Sequence, residues 1–339
     1  MSEFIPDVSF IIAAYNAEDT LERAIDSALG QGGVSMEVIV VDDCSTDGTR
    51  SLAENHGDPR VRVVALPRNG GPSAARNAGL DVATGRWVAV LDSDDAMRPD
   101  RLARMIARAE KAEAKIAVDN LDVVRENADE YYTMFPDDKL ARLPEMSLAD
   151  FITSNVIFRS EHNFGYMKPI FERAFIESHG LRFDENLKIG EDYIFLASAL
   201  ADGGRCVVEP MAGYIYYIRK GSISRVLEIH HVDAMIEADK RFLGSHTLDA
   251  EALAAQRRRA RSLREARSFL NLVQSIKSKS PVGVLKNAFS NPRAVRHLSM
   301  PIVARLKRFA AFFRRRNEAA AASSAALPSM GKGPHSNKG

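Results

Sequence analysis

WVAVLDSDDAMRP (87–99) begins as an apolar strand and ends in a cluster of carboxylates. The run Trp87 to Leu91 stops at Asp92, Ser93, Asp94 and Asp95. Carboxylates at the end of a buried strand are costly unless something pairs with them. A divalent cation is the cheapest partner, because hard Mg2+ or Mn2+ prefers carboxylate oxygens and bridges to phosphates. In open α/β sheets the carboxyl ends of the strands are also where nucleotides bind. The plainer alternative is a polar turn that caps the strand and starts a helix at Pro99.

The same alternation runs through the first third of the chain. VSFIIAA (8–14) is a continuous apolar run of strand length. Asn16 then reads as the cap of a helix in which Ala17, Leu21, Ala24, Ile25, Ala28 and Leu29 recur at helical spacing, closed by Gln31-Gly32-Gly33. EVIVVDD (37–43) is a second buried strand, and Ser45 is placed to cap the helix after it. VRVVAL (61–66) is a third, followed by a turn at Asn69-Gly70-Gly71-Pro72 and a helix carrying Ala74, Ala75, Ala78 and Leu80. The spacing of Leu102, Met105, Ile106 and Ala109 predicts a helix over 99–112, and KIAVDNL (115–121) a fifth strand. Buried strands alternating with amphipathic helices give an α/β fold with a mostly parallel, doubly covered sheet.

After residue 125 the pattern is irregular to about 225, with one clear helix near 192–201. Residues 228–278 are helical again, with Leu263, Ala266, Leu270 and Val273 on one side of a long basic helix that Pro281 and Pro292 interrupt. Residues 318–339, mostly Ala, Ser, Gly and Pro, read as disordered. The division expected is a domain over 1–227, in two halves (1–125 and 126–227), then a helical basic extension over 228–317 and the tail.

A chain of 339 residues with 45% hydrophobic content builds a proper core. Net charge is +1, but its distribution is uneven. Of 46 Lys and Arg and 45 Asp and Glu, nine basic and no acidic residues fall in 282–316, which leaves 37 against 45 elsewhere. Two cysteines, Cys44 and Cys206, make neither a disulfide framework nor a zinc site. No signal peptide and no apolar run of about 18 residues is evident, so the expected compartment is the cytoplasm.

Four further constellations carry chemistry. Asp42-Asp43 ends the second strand, at the same sheet edge as Asp92 and Asp94; it suits a uracil N3–H or a simple cap. GGPSAARNAG (70–79) supplies Arg76 and Asn77, and Arg76 suits phosphate or the strand-end carboxylates. LKIGEDYIFLA (187–197) places Glu191 and Asp192 in the first turn of a helix, as dipole caps or as a general base. YIYYIRKGSIS (214–224) adds Arg219, Lys220 and Ser222, which close over a diphosphate or form a solvated turn.

In order and spacing, VSFIIAAYNAEDTLERAIDSALGQ, EVIVVDDCSTDGT, NGGPSAARNAGL, GRWVAVLDSDDAMRP and LRFDENLKIGEDYIFL resemble the family-2 glycosyltransferases, inverting enzymes of the GT-A fold, across residues 7–225. More narrowly the chain is similar to bacterial exopolysaccharide enzymes of the succinoglycan glucosyltransferase type. The resemblance implies a UDP-sugar donor, UDP-glucose first, and a lipid-linked oligosaccharide acceptor. It implies a base pocket at Ala14 and Tyr15, uracil contacts from Asp42 or Asp43 with Arg76 nearby, and Mn2+ or Mg2+ on Asp94 with Asp92. Ser93, Arg219 and Ser222 would complete the donor site, and Asp192, beside Glu191, would be the catalytic base. One departure is Cys44, where the family has Gly; Cys tolerates a left-handed backbone less well.

Near the C-terminus, Ile302, Leu306, Phe309, Ala310 and Phe313 form an apolar stripe beside Arg305, Lys307, Arg308 and Arg314-Arg315-Arg316. That is the pattern of a helix lying in an anionic membrane surface, with a helix packed on the domain as the alternative. Nothing else points to nucleic acid. Two enzyme rivals fail at the first strand: AAYNAEDT has neither the glycine-rich basic loop of a nucleotidyltransferase nor the GxGxxG of a dehydrogenase. A non-catalytic nucleotide-sugar-binding relic is the rival from another class, and the presence of Asp92, Asp94 and Asp192 argues against it.

Overall fold

The computed structural model describes residues 5–125, 130–158, 163–218, 227–290 and 292–298. By internal contacts the chain divides into two units, Met1–Arg267 and Ser268–Gly339. The first is built on one nine-stranded sheet. Strands β1 (Val8–Ala14), β2 (Met36–Asp42), β3 (Val61–Ala65) and β4 (Trp87–Asp92) are mutually parallel in the order β3-β2-β1-β4. Phe10, Ile11 and Ile12 of the central β1 are fully buried, as a strand covered on both faces requires. Strand order reverses beside β1, so the carboxyl ends of β1, β2 and β4 open onto one crevice.

Helices α1 (Leu21–Leu29), α2 (Thr49–Glu54), α3 (Gly71–Val82) and α4 (Arg101–Lys111) connect or follow these strands. The apolar spacing read from the sequence is the buried face: Leu21, Ala24, Ile25 and Ala28 on α1; Leu102, Met105, Ile106 and Ala109 on α4. Each large one contributes roughly 1.5–3 kcal/mol of burial. On α3, a Cβ at Gly79 would lie 2.4 Å from the Ile11 side chain, so the helix sits this close to β1 only because that position is glycine.

Beyond β4 the mostly parallel sheet also takes in short antiparallel ladders. Three residues beyond the end of β4, β5 (Ala96–Met97) pairs antiparallel with β9 (Cys206–Ile218). β8 (Ile170–Glu172) runs antiparallel to both β4 and β6 (Ile116–Arg125). β6 is parallel to β9 and antiparallel to β7 (Glu130–Thr133). The three-residue β8 gave no period to read, which is why the reversal was not visible in the sequence. Two caps also differ. Asn16 lies at φ 49° and α1 starts only at Leu21. Its amide instead donates to Ser45 Oγ (3.0 Å) and its side-chain carbonyl accepts from the Thr46 amide (2.9 Å), tying two loops together. Ser45 is therefore occupied, and Gly48 precedes α2.

The remaining helices are α5 (Asp137–Ala141), α6 (Leu148–Ser154), α7 (Arg173–Ser178), α8 (Glu191–Ala201), α9 (Ile229–Ser245) and α10 (Ala250–Lys277), which crosses the division between the units. In the second unit, α11 (Pro281–Ser290) and α12 (Pro292–Val295) each begin at a proline, so Pro281 and Pro292 start helices there. Residues 299–339, with the stripe from Ile302 to Phe313 and the tail, lie outside the described residues.

At the amino end of the sheet one carboxylate closes the turn into β4. Glu37 Oε1 accepts from Ser9 Oγ (2.6 Å), the Thr84 amide (2.7 Å) and Thr84 Oγ1 (2.8 Å). Burial pushes this carboxyl up, but the hydrogen bonds outweigh it and hold the group below its ordinary value. A depressed carboxyl stabilises the fold fully above its unfolded value near about 4.3 and loses that contribution as pH falls through the folded value. Glu37→Gln should therefore cost about 1 kcal/mol at pH 7, measured by urea unfolding, and progressively less towards pH 3. A gap that stays constant with pH would contradict this role.

Candidate active site

The site forms where β4 ends. Asp92 is adjacent to Ala13 of β1 in register, and Ala14 is adjacent to Asp42 of β2. The crevice edge thus gathers Ala14, Tyr15, Asp42, Asp43 and the 92–95 turn. Ala14 is buried and Tyr15 half exposed. The Ala14 carbonyl accepts from the Asp43 amide (2.8 Å). The Asp43 carboxylate accepts from the Gly70 and Gly71 amides (2.7 and 2.8 Å), so it shapes the turn that launches α3. Asp42 faces the Ser45 amide at 3.3 Å. Cys44 adopts φ 63°: the left-handed turn is kept despite its Cβ.

At the centre is Arg76 on α3, its side chain only 5% exposed. It donates to Glu191 Oε1 (2.7 Å), Asp192 Oδ1 (2.9 Å) and Asp92 Oδ1 (3.0 Å). Burial opposes its charge, but Asp192, Asp92 and Glu191 more than restore it and raise its pKa. Arg76 is thus not a surface arginine; it joins the strand-end carboxylates to α8. Phe183, stacked on Phe195 with centroids 4.1 Å apart, lies under the guanidinium at 5.4 Å. Asn77 Nδ2 donates to the Phe183 carbonyl (3.0 Å), fastening that segment to α3.

Lys168, just before β8, completes the cluster. Its ammonium lies 2.7 Å from Asp92 Oδ2 and 3.3 Å from Asp192 Oδ2. Burial disfavours its charge, yet Asp92 and Asp192 raise its pKa; the Asp92 carboxyl, between Lys168 and Arg76, is held far below the ordinary range despite its burial. Asp92 thus lies between two protein cations. Below, Arg101 is fully buried against Asp119, with Nε and one terminal nitrogen each 2.8 Å from its oxygens, and donates to the Lys168 carbonyl. Lys168 gave no sequence signal beyond its place before Pro169 in an aperiodic segment.

The DSDD carboxylates therefore have separate surroundings. Ser93 is half buried in the turn. The Asp94 carbonyl accepts from Arg23 (2.6 Å). Asp95 is fully buried and accepts from Tyr214 Oη (2.8 Å) and the Tyr217 amide (2.9 Å), locking the turn onto β9. Burial, then the charges of Asp92 and Asp94, push the Asp95 carboxyl well up. On α8, Glu191 is buried on Arg76, and burial followed by the Asp192 charge raises its carboxyl; Asp192 keeps 31% of its side chain exposed. The pair read together in the sequence thus splits into a structural anion and a solvent-facing one. Gly190 takes φ 90° to start this helix, and a Cβ there would also come within 3.2 Å of Met235. Arg219 and Ser222 lie outside the described residues.

No group of three or more His, Cys, Asp or Glu among the described residues is arranged as a metal cage. The donors present still fit a hard cation that arrives with a diphosphate, since Mg2+ is commonly held by one or two carboxylates plus substrate phosphates. The charges of Asp92 and Asp94 both act on Asp95 behind them. Asp94 and Asp92, at the end of β4, are the carboxylates that would hold such an ion.

A sequence profile of the glycosyl transferase family 2 matches residues 9–175. The succinoglycan biosynthesis protein ExoO of Rhizobium meliloti is 63% identical over 309 residues, covering 91% of this chain and 88% of that protein. The chain belongs to glycosyl transferase family 2. Within the family it is also 35% identical over 280 residues to the succinoglycan biosynthesis protein ExoU of Rhizobium meliloti, covering 78% and 79% of the two chains. Solved structures share the fold. S. aureus TarS 1–349 in complex with UDP-GlcNAc aligns with a TM-score of 0.59 at 21% identity, covering 84% of this chain and 91% of that one. The mannosyltransferase PcManGT from Pyrobaculum calidifontis, in complex with GDP-Man and Mn2+, aligns with a TM-score of 0.56 at 19% identity, covering 87% and 81%. The chain has the GT-A fold, and it is a glycosyltransferase.

Removing a buried cation from among three carboxylates leaves them uncompensated, at a cost of about 3–5 kcal/mol. Arg76→Met should destabilise the protein by that amount in urea unfolding. Adding Glu191→Gln should recover part of the loss, because one of the stranded charges goes with it. Additive effects of the two substitutions would show that Arg76 and Glu191 are not coupled.

Proposed function

We propose that the enzyme transfers a sugar, with inversion, from a UDP-sugar to a hydroxyl of a growing lipid-linked oligosaccharide in exopolysaccharide synthesis. The observation that carries this is the solvent-facing Asp192 carboxylate, fixed beside the nucleotide edge by Arg76 and Lys168. The similarity to ExoO and ExoU supports the pathway class, and the UDP-GlcNAc complex of TarS supports a uridine donor. UDP-glucose is the donor to test first.

In this reading Tyr15 and Asp42 flank the base, and Asp43 holds the Gly70-Gly71 turn beside it. Asp192 accepts the proton of the acceptor hydroxyl while that oxygen attacks the anomeric carbon. The bond from the anomeric carbon to the diphosphate oxygen breaks on the opposite side, so an α-linked donor gives a β-linked product and UDP leaves with the bonding pair. Asp94 and diphosphate oxygens would hold Mn2+ or Mg2+, which supplies Lewis-acid stabilisation of the leaving group. Arg76 and Lys168 hold Asp92 and Asp192 in place. The enzyme would work at the cytoplasmic face of a membrane; among the described residues no helix is long and apolar enough to cross one.

UDP release from a panel of UDP-sugars, with membrane extract as acceptor source, tests this. One donor should turn over with Mn2+ or Mg2+ and stop with chelator. Asp94→Ala should weaken UDP binding and lower turnover together, by at least about tenfold. Release that is indifferent to chelator and to Asp94→Ala would sink the metal-assisted step. UDP binding without turnover of any donor would favour a binding relic.

A further inference from the structure

In the second unit, α11 carries Val282, Leu285 and Phe289 at i, i+3 and i+7, on one stripe of the helix. They are 75%, 58% and 81% exposed. Ile276, near the end of α10, is also exposed. Three large apolar side chains in water on one ten-residue helix form a face made for a partner. The surrounding sequence says which kind. Residues 268–317 contain eleven Lys and Arg and no Asp or Glu. Lys277, Lys279 and Lys286 lie on or beside α11 itself.

We propose that the α11 face docks on an anionic lipid bilayer, with Val282, Leu285 and Phe289 inserted at the interface and the flanking cations on lipid phosphates. Charge selects this occupant over the other two. A second copy of the face would bring Lys277, Lys279 and Lys286 against their own copies. Residues 299–317 carry only basic charge, so placing that sequence on α11 would also set like charges together. An anionic bilayer supplies the apolar phase and the opposite charge together. The surface lies outside the donor site and does not depend on the donor reading: turnover of a donor in solution reports on one, vesicle binding on the other.

The test is flotation of the full chain with vesicles of 30% phosphatidylglycerol in phosphatidylcholine, against pure phosphatidylcholine. Binding is expected to the first and not the second, and to weaken as salt rises, since a Debye length shrinks from about 10 Å at 0.1 M to about 3 Å at 1 M. Leu285→Asp with Phe289→Asp should reduce partitioning at least about tenfold, with donor turnover in solution unchanged. Trp87, the chain's single tryptophan, is buried in β4, so Phe289→Trp adds a clean reporter. Its emission should shift to the blue and be quenched by brominated lipid. The proposal is overturned if the chain ignores anionic vesicles, if the double variant floats as well as the wild type, or if Trp at 289 stays unquenched on bound protein. It is equally overturned if the double variant only splits a dimer and leaves vesicle binding intact.

Discussion

Everything at the crevice depends on one buried guanidinium. Arg76 reaches Asp92 at the end of β4 and both Glu191 and Asp192 at the start of α8, within 3.0 Å in each case. These carboxylates come from segments about a hundred residues apart, and none could be held in a low-dielectric site without a counter-charge. The ion cluster therefore fixes where α8 begins relative to the sheet. Lys168 adds a second tie between Asp92 and Asp192, and Arg101 on Asp119 fixes the Lys168 backbone from below. A solvent-facing carboxylate on such a base is pre-positioned, which is what in-line proton transfer from an acceptor needs.

The strand-end cluster divides its labour by burial. Asp92 is paired, Asp95 is sealed against Tyr214 and the β9 backbone, and Asp94 lies between them beside Arg23. In the proposed reaction Asp94 would hold the metal that accompanies the diphosphate, while its neighbours keep the turn rigid. Glu191 and Asp192 differ in the same way: one sunk on Arg76, one facing the crevice.

Much of this was legible in the sequence. β1 runs from Val8 to Ala14, as its apolar run indicated, and the buried faces of α1 and α4 follow the helical spacing. Strands covered on both faces and helices covered on one leave such periodic traces. The edge that gathers Ala14, Asp42 and Asp92 followed from where the apolar runs stop. The electrostatic partners were not legible, because ion pairs between distant segments leave no period. Lys168 sits in an aperiodic stretch, and for Arg76 the strand-end carboxylates were anticipated but its reach to Glu191 and Asp192 was not. Asn16 and Ser45 looked like caps because a local sequence cannot show that two loops bond each other instead.

The central claim is that Asp192 is the base that Arg76 and Lys168 position. The measurement that bears on it most directly pairs UDP affinity by calorimetry with donor turnover, for wild type and Asp192→Asn. UDP affinity within about twofold of wild type, with turnover reduced at least about 100-fold, is the expected result. Turnover that survives the substitution, or affinity that falls in step with it, would contradict the assignment.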